Sequence, residues 1–292
     1  MDTTERIQKA VDYIEERLFE PIDLQDVAGR AFFSPYYFYR LFQAMAGYSL
    51  KEYIRRRRFS EASEMLRTTE IGILELAFLC QYESQEAFTR AFKKETGRNP
   101  GDFRNRKASF RTFLPVDVVH NQLKGELDMV AIEPNIVKKA EFLVIGPAIK
   151  CTIEDEENIK RIPLFWEEEM AKNTLDKIPN AVNPTTCYGV CMDFESPKFT
   201  YMIAKEVSSL DDVPDDMIGR AVPAATYAVF TARGPCTKAI QDTTRYIYST
   251  WLPESGYEHA MTADLEVYDE RCSDDDTSEV DIYIPIVKSE TA

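Results

Sequence analysis

The chain has 292 residues, 44% of them hydrophobic, and 35 Lys+Arg against 50 Asp+Glu give a net charge of −15. At about 100–200 residues per domain this length predicts two domains, and the apolar content excludes wholesale disorder. The start, MDTTERIQKAVDYIEERL, has no apolar h-region, and no run approaches the about 18 apolar residues of a membrane span, so a cytoplasmic location without a membrane partner is expected.

The charge is unevenly spread. Residues 1–112 carry 19 Lys+Arg against 17 Asp+Glu, whereas residues 113–292 carry 16 against 33. The front part tolerates phosphates and the back part repels them. Of the six cysteines, only Cys187 and Cys191 are close, and His120 and His259 are the only histidines. Metal ligation is therefore not expected, no cofactor is implied, and the thiols read as reduced and buried.

The front half repeats itself. Ser34, Phe38, Arg40, Phe42 and Gly47 recur 50 residues later as Ser84, Phe88, Arg90, Phe92 and Gly97. Each copy reads as a helix. Serine caps it, Pro35 fits the first helical position of copy one, and glycine stops it. Phe38, Leu41, Phe42 and Met45 form one apolar face at helical spacing. A shorter helix precedes each copy, over 24–31 and 73–79, with a tight connection, which is the layout of a helix-turn-helix. Between the copies a helix over 49–67 would span about 28 Å at 1.5 Å per residue. Successive major grooves on one side of a duplex lie about 34 Å apart, so one chain could present two recognition helices to them without dimerising, and both monomer and dimer remain open.

Residues 5–107 resemble the DNA-binding domain of the AraC/XylS family. The resemblance is carried by I-x3-A-x4-Y-x-S-x3-F-x-R-x-F-K-K-x2-G-x-x-P-x2-F-R, from Ile73 to Arg104, and by the linker-helix segment YIRRRRFSEASEML. One departure is Gln81, which stands where the family usually has glycine. The resemblance implies double-stranded DNA and RNA polymerase as partners, and a structural arginine, paired within the domain, near Arg58.

The face opposite Phe38, Leu41 and Phe42 carries Pro35, Tyr36, Tyr39, Arg40 and Gln43, and the second copy offers Gln85, Glu86, Thr89, Arg90 and Lys93. Arginine suits guanine O6/N7 and glutamine suits adenine N6/N7, so Arg40 and Arg90 are expected at bases or phosphates. Tyr36, Tyr39, Gln85 and Glu86 are expected at bases. Lys93, Lys94, Arg104 and Arg106 are expected to neutralise the backbone.

Residues 109–130 show no clear period and read as a linker between domain 1–108 and domain 131–290. Beyond it, β-rich runs are expected at 136–137, 142–149, 186–194, 200–207, 224–230, 264–268 and 280–287. Helices are expected over 162–173 and 237–251. Strand–helix–strands occurring twice predicts an α+β domain of duplicated halves behind the all-α front domain.

This half resembles the GyrI-like effector-binding domain through the segments CYGVCMDFESPKFTYMIAKEV, IGRAVPAATYAVFTARGP, IYSTWLPESGYE, DLEVYDE and VDIYIPI. The order of the two domains is similar to the Rob type of regulator. The resemblance implies an antiparallel sheet with an aromatic-lined cleft for a hydrophobic, often cationic, effector, and it favours activation. It also places the pocket glutamate at DLEVYDE, which is Glu266 here. Alternation puts Glu266 and Tyr268 on one strand face and Leu265 and Val267 on the other. Trp166, Tyr188, Tyr201, Phe230 and Tyr283 are candidate lining residues.

Two other readings stand beside sensing. One is hydrolysis of a reactive small molecule by Glu266 with Tyr188 or Tyr268, and the other is a protein-interaction role for the acidic surface. No nucleophilic triad or metal set supports other enzyme chemistry.

Overall fold

The computed structural model describes residues 2–105, 112–118, 132–154, 157–195, 197–273 and 275–289. The front of the chain is helical: α1 (Thr3–Glu16), α2 (Leu24–Arg30), α3 (Pro35–Ala46), α4 (Leu50–Thr68), α5 (Ile73–Leu79), α6 (Gln85–Thr96) and α7 (Pro100–Arg104). Local chemistry sets most of their ends. Ser34, Ser49 and Ser84 each accept an N–H of the first turn of α3, α4 and α6. Gly47 and Gly97 close α3 and α6 with φ of 78° and 75°, a left-handed conformation that glycine adopts without a Cβ penalty.

The two helix-turn-helix units are built alike but packed differently. Phe59, Leu66, Leu76, Phe88, Phe92 and Phe103 make a separate core for the second. The core of the first, from Ile7, Val11, Ile14, Phe38, Leu41 and Phe42, runs without a break into the second domain. At the turn of the second unit Gln81 takes φ of 67°, where the related family uses glycine, and its side-chain amide donates to the Phe19 carbonyl at 2.8 Å. Phe32 takes φ of 56° at the matching turn of the first unit.

The arginine run in α4 is mostly structural. Arg57 is buried, donates to both carboxylate oxygens of Glu15 at 2.8–3.0 Å, and reaches Glu61 and the Phe113 carbonyl. Arg58 donates to the carbonyls of Leu18 and Glu20. Arg55 and Arg56 both meet Glu95. Residues 112–118, read from sequence as part of the linker, run along α1 and α4, with the Phe113 N–H donating to Ser60 and the Val118 N–H to Gln8. The rest of the linker, with His120, lies outside the described residues.

The second domain is an antiparallel sheet of ten strands: β1 (Asn135–Lys139), β2 (Phe142–Gly146), β3 (Ala148–Thr152), β4 (Cys187–Glu195), β5 (Lys198–Val207), β6 (Ile218–Val222), β7 (Ala225–Arg233), β8 (Tyr257–His259), β9 (Asp264–Tyr268) and β10 (Glu279–Lys288). Helices α8 (Glu157–Ala171) and α9 (Cys236–Tyr246) cross over between strands, and α9 continues through a π-turn (Ile247–Trp251) into α10 (Leu252–Glu254). The expected duplication is present. The units β3–α8–β4–β5 and β7–α9–β9–β10 pair internally as β3·β5·β4 and β7·β10·β9. They join where β4 meets β9, with Gly189 opposite Glu266 and Cys191 opposite Asp264. Phe165, Tyr201, Phe230 and Tyr246 belong to the core on the helix-covered face. Strand residues, among them Tyr188, Val190, Tyr227 and Leu265, pack together on the opposite face.

Candidate effector site and nucleic-acid interface

The seam between the halves holds a half-buried carboxylate in an aromatic cage. Glu266 is central in β9 and projects toward the helix-covered face, opposite Leu265 as alternation predicts, while the apolar Leu265 packs in the cluster away from the helices. The Tyr201 and Tyr268 hydroxyls both donate to its Oε2, at 2.7 and 2.9 Å. The Trp166 indole N–H of α8 donates to the Tyr201 hydroxyl at 2.8 Å, and its ring lies 4.7 Å from that of Tyr268.

Glycine at 189 makes this approach possible. A Cβ there would stand 2.3 Å from the Tyr201 hydroxyl and 2.5 Å from Glu266 Oε2, closer than real contacts allow. Burial pushes the Glu266 carboxyl above the usual carboxylate range, while the two tyrosine hydroxyls and the charge of Arg40 pull it back. The tyrosines stay neutral, since burial raises both well above an ordinary phenol. A negative group lined by three aromatic side chains suits a cation with an apolar body.

Four of the seven expected lining residues meet here: Glu266, Tyr268, Trp166 and Tyr201. The other three do not. Tyr188 and Tyr283 lie on the opposite face of the sheet because their positions on β4 and β10 are out of phase with Gly189 and Ile282. Tyr188 donates to Glu206 at 3.1 Å, and Tyr283 packs edge-on to Tyr227. Phe230 shares the helix-covered face but packs edge-on to Trp251 at 5.1 Å. For the hydrolytic reading this leaves Tyr268, not Tyr188, beside Glu266.

On the second recognition helix, Gln85, Glu86, Arg90 and Lys93 are exposed and Thr89 is half-buried, which leaves this face free to meet DNA. Arg104 instead donates to the Ile71 carbonyl and ties α7 to the domain, which corrects its expected place on the phosphate backbone. Arg106 lies outside the described residues.

The first recognition helix departs most from the sequence reading. The face of α3 that was expected to be free is covered by the second domain. Tyr36 and Tyr39 are only 1% and 6% exposed, and Pro35, Arg40 and Gln43 are half-buried. Tyr36 stacks on Phe194 with centroids 3.9 Å apart, and the Ser34 hydroxyl donates to Met261 Sδ at 3.0 Å. Helical periodicity correctly gave the inward face of α3. Its other face is also rich in aromatics, a signal of burial that a two-domain reading overlooks.

Neighbouring contacts complete the junction. Arg6, buried under Phe33, pairs with Glu258 at 2.8 Å, and Lys51 pairs with Glu154 at 2.6 Å. Arg6, Tyr248 and His259 were not among the expected site residues, because only the docked domains bring them to α3. The six cysteines form no disulfide. Burial pushes Cys80 and Cys151 up to about 12 and Cys187 up to about 11, so they are neutral and unreactive. Among the described residues no helix is long and apolar enough to cross a membrane.

Comparison with known proteins agrees with this organisation. Residues 27–106 match a family model described as a helix-turn-helix domain, and residues 135–286 match one described as integron-associated effector binding protein. A Salmonella typhimurium protein named transcriptional regulator Rob is 25% identical over 278 residues, covering 92% of this chain and 91% of that protein. An uncharacterized HTH-type transcriptional regulator of Bacillus subtilis is 37% identical over 119 residues. That alignment covers 41% of this chain, and the chain spans only 40% of that relative. The solved structure of an integron cassette protein from Vibrio cholerae is 21% identical over 53% of this chain and 96% of that one, with a TM-score of 0.42. The effector-binding match covers just over half of the chain. The chain belongs to the integron-associated effector binding protein family, joined to an AraC-type helix-turn-helix domain in the organisation of a DNA-binding transcription regulator.

Proposed function

We propose that the protein is a transcription regulator whose DNA binding responds to a hydrophobic cation held at Glu266. The observation that carries this reading is the cage itself, a half-buried carboxylate receiving two tyrosine hydroxyls beside an indole ring. A bound cation would replace part of the solvation that Glu266 loses on burial, and the aromatic faces would take up its apolar surface.

DNA recognition is assigned to Gln85, Glu86, Thr89, Arg90 and Lys93 of α6. Pro35, Tyr36, Tyr39, Arg40 and Gln43 of α3 join them when that helix is free. The regulator acts at a promoter, so RNA polymerase is its expected partner.

Titration of the full chain with tetraphenylphosphonium, followed by mass analysis of the recovered ligand, tests the reading. Saturable binding that Glu266→Gln abolishes, with the ligand recovered intact, supports a sensor. Absence of binding sinks the cation reading, and a fluorescent ester or epoxide panel consumed by wild type but not by Glu266→Gln would establish the hydrolytic one.

A further inference from the structure

The first recognition helix occupies the same sheet face as the effector cage, one step along the strands. On β9, Asp264 and Glu266 alternate onto this face, with Cα atoms about 7 Å apart opposite Cys191 and Gly189. Trp166, Tyr201 and Tyr268 close over the Glu266 end. At the Asp264 end stands Arg40 of α3, its guanidinium 4.5 Å over the Tyr248 ring and 3.4 Å from the Tyr36 hydroxyl.

Arg40 is an unusual tenant. Burial disfavours its charge, while the field of Asp264 and the ring faces of Tyr248 and Tyr36 favour it. Among the described residues no carboxylate comes within ion-pair distance of it, and its charge also acts on Glu266. A half-buried guanidinium held by aromatic faces and by the field of nearby acids, without a direct ion pair, is only partly compensated.

We propose that Arg40 and a cationic effector compete for this acidic row, so that a cation bound at Glu266 expels α3 from the effector domain and frees it for DNA. The proposal rests on the reading of Glu266 as a cation site. Two positive charges within about 8 Å in a poorly solvated site repel each other strongly, because little water screens them. The helix and Arg40 move together, since Tyr36, Tyr37 and Ser34 dock through contacts on the same few residues, Phe194, His259 and Met261. By linkage, DNA that captures α3 must tighten cation binding by the same factor by which the cation tightens DNA binding.

The test compares tetraphenylphosphonium affinity in full-length wild type, Arg40→Met and Arg40→Lys. Hydrogen exchange of the peptides covering α3 and α6 is followed with and without the cation. Arg40→Met is expected to bind the cation about tenfold more tightly than wild type, and Arg40→Lys, which keeps the charge, to stay within about twofold of it. Saturating cation is expected to speed exchange in α3 while leaving α6 unchanged. Should Arg40→Met prove unstable, Phe194→Ala, which loosens α3 without touching the charge, is expected to raise α3 exchange with no cation present. Wild type that binds the cation with unchanged α3 exchange, or Arg40→Met that folds and binds no more tightly, overturns the competition and leaves the effector site standing. No cation binding by any of these chains overturns the effector reading itself.

Discussion

Tyr36 of the first recognition helix stacks on Phe194 of the effector-domain sheet, centroids 3.9 Å apart and planes 26° from parallel. This one ring pair joins the two functions of the chain, since Tyr36 lies on the face that would meet DNA. An aromatic pair of this kind contributes about 0.5–1.5 kcal/mol beyond its buried area. Phe194→Ala is therefore expected to raise DNA affinity in the absence of effector by about two- to tenfold. Electrophoretic or fluorescence titration against a duplex selected from random sequence measures it, and unchanged affinity would show that the stack does not hold α3 back.

Gly189 is the narrowest point of the cage. Adding one methyl forces the Tyr201 hydroxyl and the Glu266 carboxylate to give way. Gly189→Ala is expected to cost about 1–3 kcal/mol of stability, the usual range for overpacking. It should also weaken phosphonium binding while leaving the exposed face of α6 able to bind DNA. Chemical denaturation and ligand titration check the two effects separately.

Glu266 gives a pH signature whose sign follows from its environment. Burial holds its carboxyl above the ordinary range, so the fold favours the protonated form. That stability is complete at and below about pH 4 and is lost as pH rises through the raised value. Glu266→Gln escapes the loss, so its melting temperature should equal that of wild type near pH 4 and exceed it progressively toward about pH 8. Phosphonium affinity should rise with pH across the same window in wild type, because the cation needs the ionised form, while the variant binds at no pH.

Within the run of four successive arginines in α4, buried and exposed members should separate cleanly. Arg57 is buried against Glu15, so Arg57→Ala strands a largely buried carboxylate and is expected to cost about 3–5 kcal/mol. Arg55 is 44% exposed and meets Glu95 at 3.5 Å, so Arg55→Ala should cost at most about 1 kcal/mol. Urea denaturation of both variants decides it, and equal costs would contradict the assigned roles.

Arg90 stands exposed on α6, and Arg90→Ala is expected to weaken specific DNA binding by about 1–3 kcal/mol with or without effector. Arg40→Ala should show a loss of that size only when the phosphonium is present, because the helix carrying Arg40 is otherwise docked. Equal losses for the two variants without effector would place α3 on DNA in both states.

What the sequence determined by itself was local or repetitive. Serine caps, the stop glycines Gly47 and Gly97 and the 50-residue repeat placed the recognition helices, because capping and apolar spacing act within a few residues. Alternation in DLEVYDE likewise put Glu266 and Tyr268 on one strand face. Tertiary structure decided what each face meets. Which aromatics join Glu266 depends on the phase of β4, β5 and β10 relative to β9, so Tyr201 enters the cage while Tyr188 and Tyr283 turn away. The covering of α3 was equally illegible. The Tyr36, Tyr39 and Arg40 side chains suit both a DNA groove and an aromatic, acidic protein surface, and only the docking of two distant segments of chain selects the second.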